Sequence, residues 1–300
     1  LVFLIICVIL NIALDLLFVI RFGWGVAGVA WATIIAQAIS AILCVIRLCT
    51  MPGVVQVKWK YLRPFRDLLL RLLRIGVPSG LTQAIFSIAM MFTQNLTNSM
   101  GHLVVATSTA VMRVDGFAML PNFTFGMAIS TFVGQNVGAR LMDRVEAGTK
   151  DGLKLAVAVS VALTILLLLF GKHLIALFTP EPLIRDLGVR ALQILAAGYI
   201  AMGVSQVFYG VMRGAGDTMT PMWISIVITC VFRIPIAYLW AHLTKSELWP
   251  NGSPDALFGS LLIAWLLGCI LSYVFYRIGL WRKMAQAIDS RPGDRAFVEM

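Results

Sequence analysis

The sequence predicts an all-α polytopic membrane protein with eight transmembrane helices, and three observations carry that prediction. Hydrophobic residues make up 60% of the 300 residues and charged residues 13%, with a mean hydropathy of +0.90, far from an average soluble composition. Eight apolar spans can be drawn, roughly at 2–20, 26–49, 74–98, 103–133, 153–171, 187–211, 219–242 and 256–277. Each is long enough to cross a hydrocarbon core of about 30 Å. Cationic residues crowd every second connection: Lys58, Lys60, Arg63, Arg66, Arg71 and Arg74 after the second span, Arg140, Arg144, Lys150 and Lys154 after the fourth, and Arg277, Arg282 and Lys283 after the eighth. The alternate connections hold far fewer. This is the positive-inside pattern, and it predicts that both ends of this chain face the cytoplasm.

Topology accounts for the formal net charge of +10 without a nucleic-acid partner, which would need basic residues clustered with aromatic readers. Cys7, Cys44, Cys49, Cys230 and Cys269 lie in or near apolar spans without metal-ligand spacing, so they read as small buried hydrophobes. The first span has no basic n-region and no small-residue cleavage site, unlike a cleavable signal peptide. His102, His173 and His242 fall near helix ends on different connections, and no HExxH, GxSxG or paired membrane aspartates occur. The sequence therefore predicts neither an enzyme nor a cofactor.

The first span, LVFLIICVILNIALDLLFVI, carries Asn11 and Asp15 one turn apart on one helical face. A carboxylate at membrane depth costs about 2.5–3.5 kcal/mol on insertion scales and so points to a function. The pair can hold a proton or coordinate a small cation; it can equally tie this helix to a neighbour. The second span opens with GVAGVAWAT, whose Gly25, Ala27, Gly28 and Ala30 allow close approach of another helix. The hydroxyl of Thr33 can bond back to its own helix or face the Asn11/Asp15 pair.

Residues 51–75 then divide the chain, with two spans before and six after. Pro52 and Pro64 mark a polar linker, and Arg63 to Arg74 alternate basic and Leu faces as an interfacial cytoplasmic helix would. In the third span, GVPSG places Pro78 where it can start or kink a helix, with Gln83 a turn later. The fourth span holds Arg113 and Asp115, which at a spacing of two cannot share a face. Arg113 keeps its proton and reads as a conformational strut; Pro121 should bend the helix and free carbonyls. Gly134, Gln135 and Asn136 in GQNVGAR predict a structural hinge at a helix stop. In MRGAGDTMTP, Gly214 and Gly216 predict a turn, with Asp217 and Thr218 capping the next helix; the Lys-Ser/Thr of a P-loop is absent. Trp249, in the loop 245–256, reads as an interface anchor.

A weak internal repeat sets Asn11-Ile-Ala-Leu-Asp15 beside Arg233-Ile-Pro-Ile-Ala237, and CVIRL (44–48) beside VFYRI (274–278). Spans 7–8 thus repeat spans 1–2, four helices apart. The simplest architecture is a twelve-helix molecule of two six-helix lobes related by an axis along the membrane normal. This chain would then comprise 1–50 as the last two helices of the N-terminal lobe, 51–75 as a cytoplasmic linker, 76–283 as the C-terminal lobe and 284–300 as a cytoplasmic tail. Four helices are expected upstream of Leu1.

Four stretches together, NIALDLLFVIRFGWGVAGVAWATIIAQ (11–37), LLRIGVPSGLTQ (72–83), MRVDGFAMLPNFTFGMAISTFVGQNVGAR (112–140) and GVMRGAGDTMTPM (210–222), resemble the multidrug and toxic compound extrusion (MATE) family of cation-coupled antiporters. The resemblance runs from about residue 1 to residue 280. It implies a chain that begins at the fifth of twelve helices. It also implies a cation-coupling site in which Asn11, Asp15 and Thr33 match the family's Asn, Asp and Thr in order and spacing, with further ligands on upstream helices. Some relatives carry a functional acid near Gln83; the amide here departs from them and counts against a charged cation site in the second lobe.

The resemblance further implies an antiporter that exports amphipathic or cationic organic compounds across the inner membrane in exchange for H⁺ or Na⁺, with no metal beyond a possible Na⁺ at Asn11, Asp15 and Thr33. Gln83, Met90, Met91, Met119 and Phe123, with Phe92 and Met127, offer an adaptable substrate cavity; plain helix packing is the alternative. The expected partners are small substrates and the lipid bilayer, and the molecule is expected to be monomeric. A lipid-linked oligosaccharide flippase of related architecture is one alternative, although it would need several cavity arginines and only Arg113 and Arg233 lie within the spans. A channel or non-transporting membrane protein is the other.

Overall fold

The structure, a computed structural model, describes residues 2–51 and 65–289. The chain divides into two compact units, Leu1–Leu69 and Leu70–Met300. Among the described residues, eight helical stretches are long and apolar enough to cross a membrane, and they coincide with the eight predicted spans.

The first unit is a helical hairpin. Helix α1 (Val2–Leu16) continues into a π-helical stretch, Leu17–Arg21, and α2 spans Gly25–Thr50. The turn needs positive φ at Gly23 (70°) and Gly25 (54°), which glycine adopts without a Cβ penalty. Phe18, Phe22 and Trp24 pack ring against ring there, with centroids 5.1–5.9 Å apart. Of the four small residues expected to meet a neighbour, Gly28 does: a Cβ on it would lie 3.0 Å from that of Phe18. Ala27 and Ala30 are exposed. The buried stripe is instead Gly28, Ala32 and Ala36, because residues four apart are the ones that share a helical face.

The second unit comprises α3 (Arg66–Ser99), α4 (His102–Gly138), α5 (Met142–Ala176), α6 (Pro182–Gly214), α7 (Met219–Ile226), a π-helical stretch Val227–Arg233, α8 (Ile234–Leu243), α9 (Asp255–Ile278) and α10 (Leu280–Asp289). Helix α3 starts four residues before the division between units. Helix α6 is the centre of the bundle, and its sequence shows why: glycines occur where other helices cross it. A Cβ at Gly210 would fall 2.5 Å from the Gly126 carbonyl oxygen, and one at Gly214 would fall 2.5 Å from that of Ser130. Backbones of α4 and α6 thus touch directly, as small residues permit in membrane bundles. Two apolar cores flank this crossing. One gathers Val104, Val111, Val114, Leu192, Leu195 and Tyr199; the other gathers Val133, Val145, Phe208, Val211, Met212 and Trp281. Many large apolar side chains point outward, such as Leu169 at 68% and Phe170 at 54% exposure on α5, as a surface solvated by lipid requires.

Several expectations need adjusting. Lys58, Lys60, Arg63 and most of the linker fall on 52–64, outside the described residues. From Arg66 the chain is already α3, one helix through to Ser99, so Arg66–Arg74 form its first turns. Pro78 is buried inside α3 and neither starts nor ends it. Pro121 lies inside α4, as expected. The expected boundary at 283/284 falls inside α10, which docks through Trp281, fully buried and stacked on Tyr276 at 5.5 Å. Trp249 is half-buried and packs against the first core. The seventh span contains the π stretch because Pro235 cannot donate to the carbonyl four residues back, and a wider turn accommodates the loss.

Candidate functional site

In the first unit, α1 and α2 bring Asn11 and Thr33 together: Asn11 Nδ2 donates to Thr33 Oγ1 at 3.4 Å. The Thr33 hydroxyl donates in turn to the Val29 carbonyl at 2.9 Å, so it bonds back to its own helix and accepts from Asn11 at once. Asp15, one turn from Asn11, has a buried Oδ1 with no hydrogen-bond partner among the described residues. All three residues are half-buried. The result, among the described residues, is a carboxylate oxygen without a donor, one turn from an amide that contacts a hydroxyl, in a largely apolar hairpin. Such oxygens suit a proton or a hard monovalent cation. Among the described residues, no group of three His, Cys, Asp or Glu could hold a metal ion.

The second unit holds a cavity of about 290 Å³. Of the residues expected to line a substrate cavity, Met90, Met119 and Phe123 line it. Gln83 and Met91 lie outside it on the exposed surface of the unit, as do Phe92 and Met127. Asp115 and Arg233 both border it. Arg113, two residues from Asp115, points elsewhere and stacks its guanidinium over the Phe178 ring at 5.7 Å, a cation–π contact. The basic group that bears on Asp115 is therefore Arg233, which is 8% exposed and lies at the end of the π stretch. Tyr199 also faces Asp115, yet among the described residues Asp115 Oδ1 and Tyr199 Oη are each buried without a hydrogen-bond partner. A second cavity of about 130 Å³ shares Arg233, Met202 and Trp265 with the first.

The remaining polar motifs organise the helices. Asn122, fully buried, donates to the Tyr199 carbonyl at 3.3 Å and accepts from Ser160 at 2.9 Å. It ties α4, α5 and α6 together just after Pro121. GQNVGAR stays helical through Gly138; Asn136 donates to the Phe132 carbonyl, and the turn comes at Arg140, whose φ is 63°. Gly134 faces the Gly214 carbonyl at the α4–α6 crossing. At the end of α6, Gly216 (φ 86°) and the bond from Asp217 N–H to the Met212 carbonyl form a Schellman turn. Asp217 then accepts from the Thr220 N–H at 3.0 Å and its hydroxyl at 2.7 Å, capping α7; the Thr218 side chain does not cap.

The MatE family profile matches residues 78–239, more than half of the chain and nearly all of the second unit up to α8. The chain belongs to the MatE family. Among curated relatives, it is 29% identical over 290 residues to the "Probable multidrug resistance protein YoeA" of Bacillus subtilis, covering 93% of this chain and 60% of that protein. It is 26% identical over 289 residues to the "Probable multidrug resistance protein NorM" of Thermotoga maritima, covering 92% and 59%. Among solved structures, an outward-facing multidrug resistance MATE family transporter superposes with a TM-score of 0.82 at 22% identity, covering 97% of this chain and 63% of that one. A MOP superfamily transporter from Pyrococcus furiosus gives 0.83 at 23%, with the same coverage. These structures share the fold, and this MatE chain spans about 60% of the length of such relatives.

Sequence reasoning missed Tyr199, Trp265, Asn122 and Ser160. Tyr199 and Trp265 pack ring to ring at 5.6 Å beside the cavity. Nothing in the apolar runs of α6 and α9 marks which face turns inward. Asn122 carried a signal that was available: an amide beside a proline in a membrane span.

Proposed function

We propose that this chain is part of a secondary active antiporter that exports amphipathic and cationic organic compounds in exchange for H⁺ or Na⁺, and that Asn11, Asp15 and Thr33 are its coupling site. The observation that carries the reading is the Asp15 carboxylate oxygen without a donor among the described residues, one turn from an Asn11 that already contacts Thr33. The names of the relatives as multidrug resistance proteins support the substrate class. One carboxylate with two neutral oxygens suits a singly charged ion, because binding then leaves the membrane interior neutral. Occupancy of Asp15 and bound substrate favour different packings of the helices, so ion entry drives substrate release. For a neutral substrate, a cation moving down ~150 mV supplies about 3.5 kcal/mol, enough for a few-hundred-fold gradient. One-for-one exchange with a singly charged organic cation is electroneutral and draws only on the ion's concentration gradient. The reading places the molecule in the inner membrane with both ends of this chain in the cytoplasm. The test is efflux of a fluorescent organic cation from vesicles containing the complete transporter: accumulation against its gradient that collapses when H⁺ and Na⁺ gradients are dissipated supports antiport, and equilibration alone refutes it.

A further inference from the structure

The cavity in the second unit holds two opposite charges that do not neutralise each other by contact. Asp115 Oδ1 has no hydrogen-bond partner among the described residues. Arg233 makes no hydrogen bond and no close ion pair among them either, although the two groups attract across the space. Both are largely removed from water, where a charge without a bonded partner is costly. Much of the remaining wall is soft and apolar, with Met90, Met112, Met119, Phe123 and Trp265, and Thr93, Gln94, Thr97 and Ser108 add neutral polar groups. Thioethers and rings of this kind adapt to a flat aromatic body. At about 290 Å³, the space lies near the lower bound of small-molecule sites, about 300 Å³. A simple cation drawn to Asp115 meets Arg233, and a simple anion drawn to Arg233 meets Asp115. A molecule bearing both charges engages each with its opposite.

We propose that this cavity binds a compact aromatic ampholyte, its cationic group on Asp115 and its anionic group on Arg233, with the ring among the methionines and Trp265. The inference deepens the transporter reading by naming a charge type for one of its substrates, and only its transport step rests on that reading. Arg233 closes the π stretch that splits α7 from α8, so the ligand contacts the segment of the seventh span whose winding is irregular, a feature frequent at functional sites.

Three probes share one indole and differ in charge: L-tryptophan carries both signs, tryptamine only the cation, indole-3-propionate only the anion. Equilibrium binding to the complete purified transporter in nanodiscs, with no ion gradient, should favour L-tryptophan at least tenfold over either singly charged probe. Arg233→Gln should abolish the preference over tryptamine, and Asp115→Asn the preference over indole-3-propionate. A preference below tenfold in the unmodified protein, binding of none of the three, or variants that fold and keep the original ranking would each overturn the proposal. If a variant does not fold, the ranking in the unmodified protein decides. Loss of the ranking with gradient-driven efflux intact removes this site and leaves the antiporter reading standing; a preserved ranking without efflux does the reverse.

Discussion

Asp217, 2% exposed between α6 and α7, accepts both the N–H and the hydroxyl of Thr220. Asp217→Ala removes the cap and should lower stability by about 1 kcal/mol, read as an earlier thermal unfolding transition in detergent, with Asp217→Asn losing less. Asn122 matters more because its partners are buried. Asn122→Ala strands the Ser160 hydroxyl and the Tyr199 carbonyl and should cost about 1–3 kcal/mol. In a double-mutant cycle with Ser160→Ala, additive losses would show that the two residues do not act together. The residues of the first unit were legible because an acid stands out in an apolar run, and because Asn11 and Thr33 sit at spacings that a helical hairpin brings together. The cavity was half legible. Met90, Met119 and Phe123 were named by their chemistry, yet Met91, the neighbour of Met90, faces outward at 76% exposure; composition identifies a residue type, whereas the face it occupies depends on packing.

The helices themselves follow from hydropathy, but their ends do not. Helix α5 starts at Met142, well before the apolar run, because its charged first turns stay helical in water and Lys154 pairs with Asp151 at 3.0 Å. The π stretches were invisible to a periodicity argument that assumes 3.6 residues per turn. Glycine content in α4 and α6 was legible as small-residue packing only once the crossing was known. The sign of a substitution there is set by what surrounds each glycine. Gly210→Ala drives a Cβ against the Gly126 carbonyl, and backbone cannot yield cheaply, so destabilisation of about 1–3 kcal/mol is expected. Gly116 lies in the middle of α4 with nothing within 4 Å of an added Cβ, so Gly116→Ala should stabilise by about 0.5–1 kcal/mol. Equal shifts in unfolding temperature for the two variants would mean that the α4–α6 crossing is looser than described.

For the whole molecule, the charge pattern predicts an orientation in which the connection 245–256 lies outside. Ser253→Cys in intact cells should react with an impermeant thiol reagent; protection of Ser253→Cys until the membrane is opened would invert the topology. On the proposed reading, the repeat between spans 1–2 and 7–8 would confine the coupling chemistry to the first copy, since Ala237 stands where that copy has Asp15, while Asp115 faces Arg233 in the second unit. The coupling claim is tested most directly by gradient-driven efflux in proteoliposomes carrying the complete transporter with Asp15→Asn, which removes the titratable charge and keeps the volume. At matched expression and insertion, efflux should fall to the leak of empty vesicles, with Asp115→Asn retaining the coupling-ion dependence of the unmodified protein. Undiminished efflux in Asp15→Asn would contradict the account.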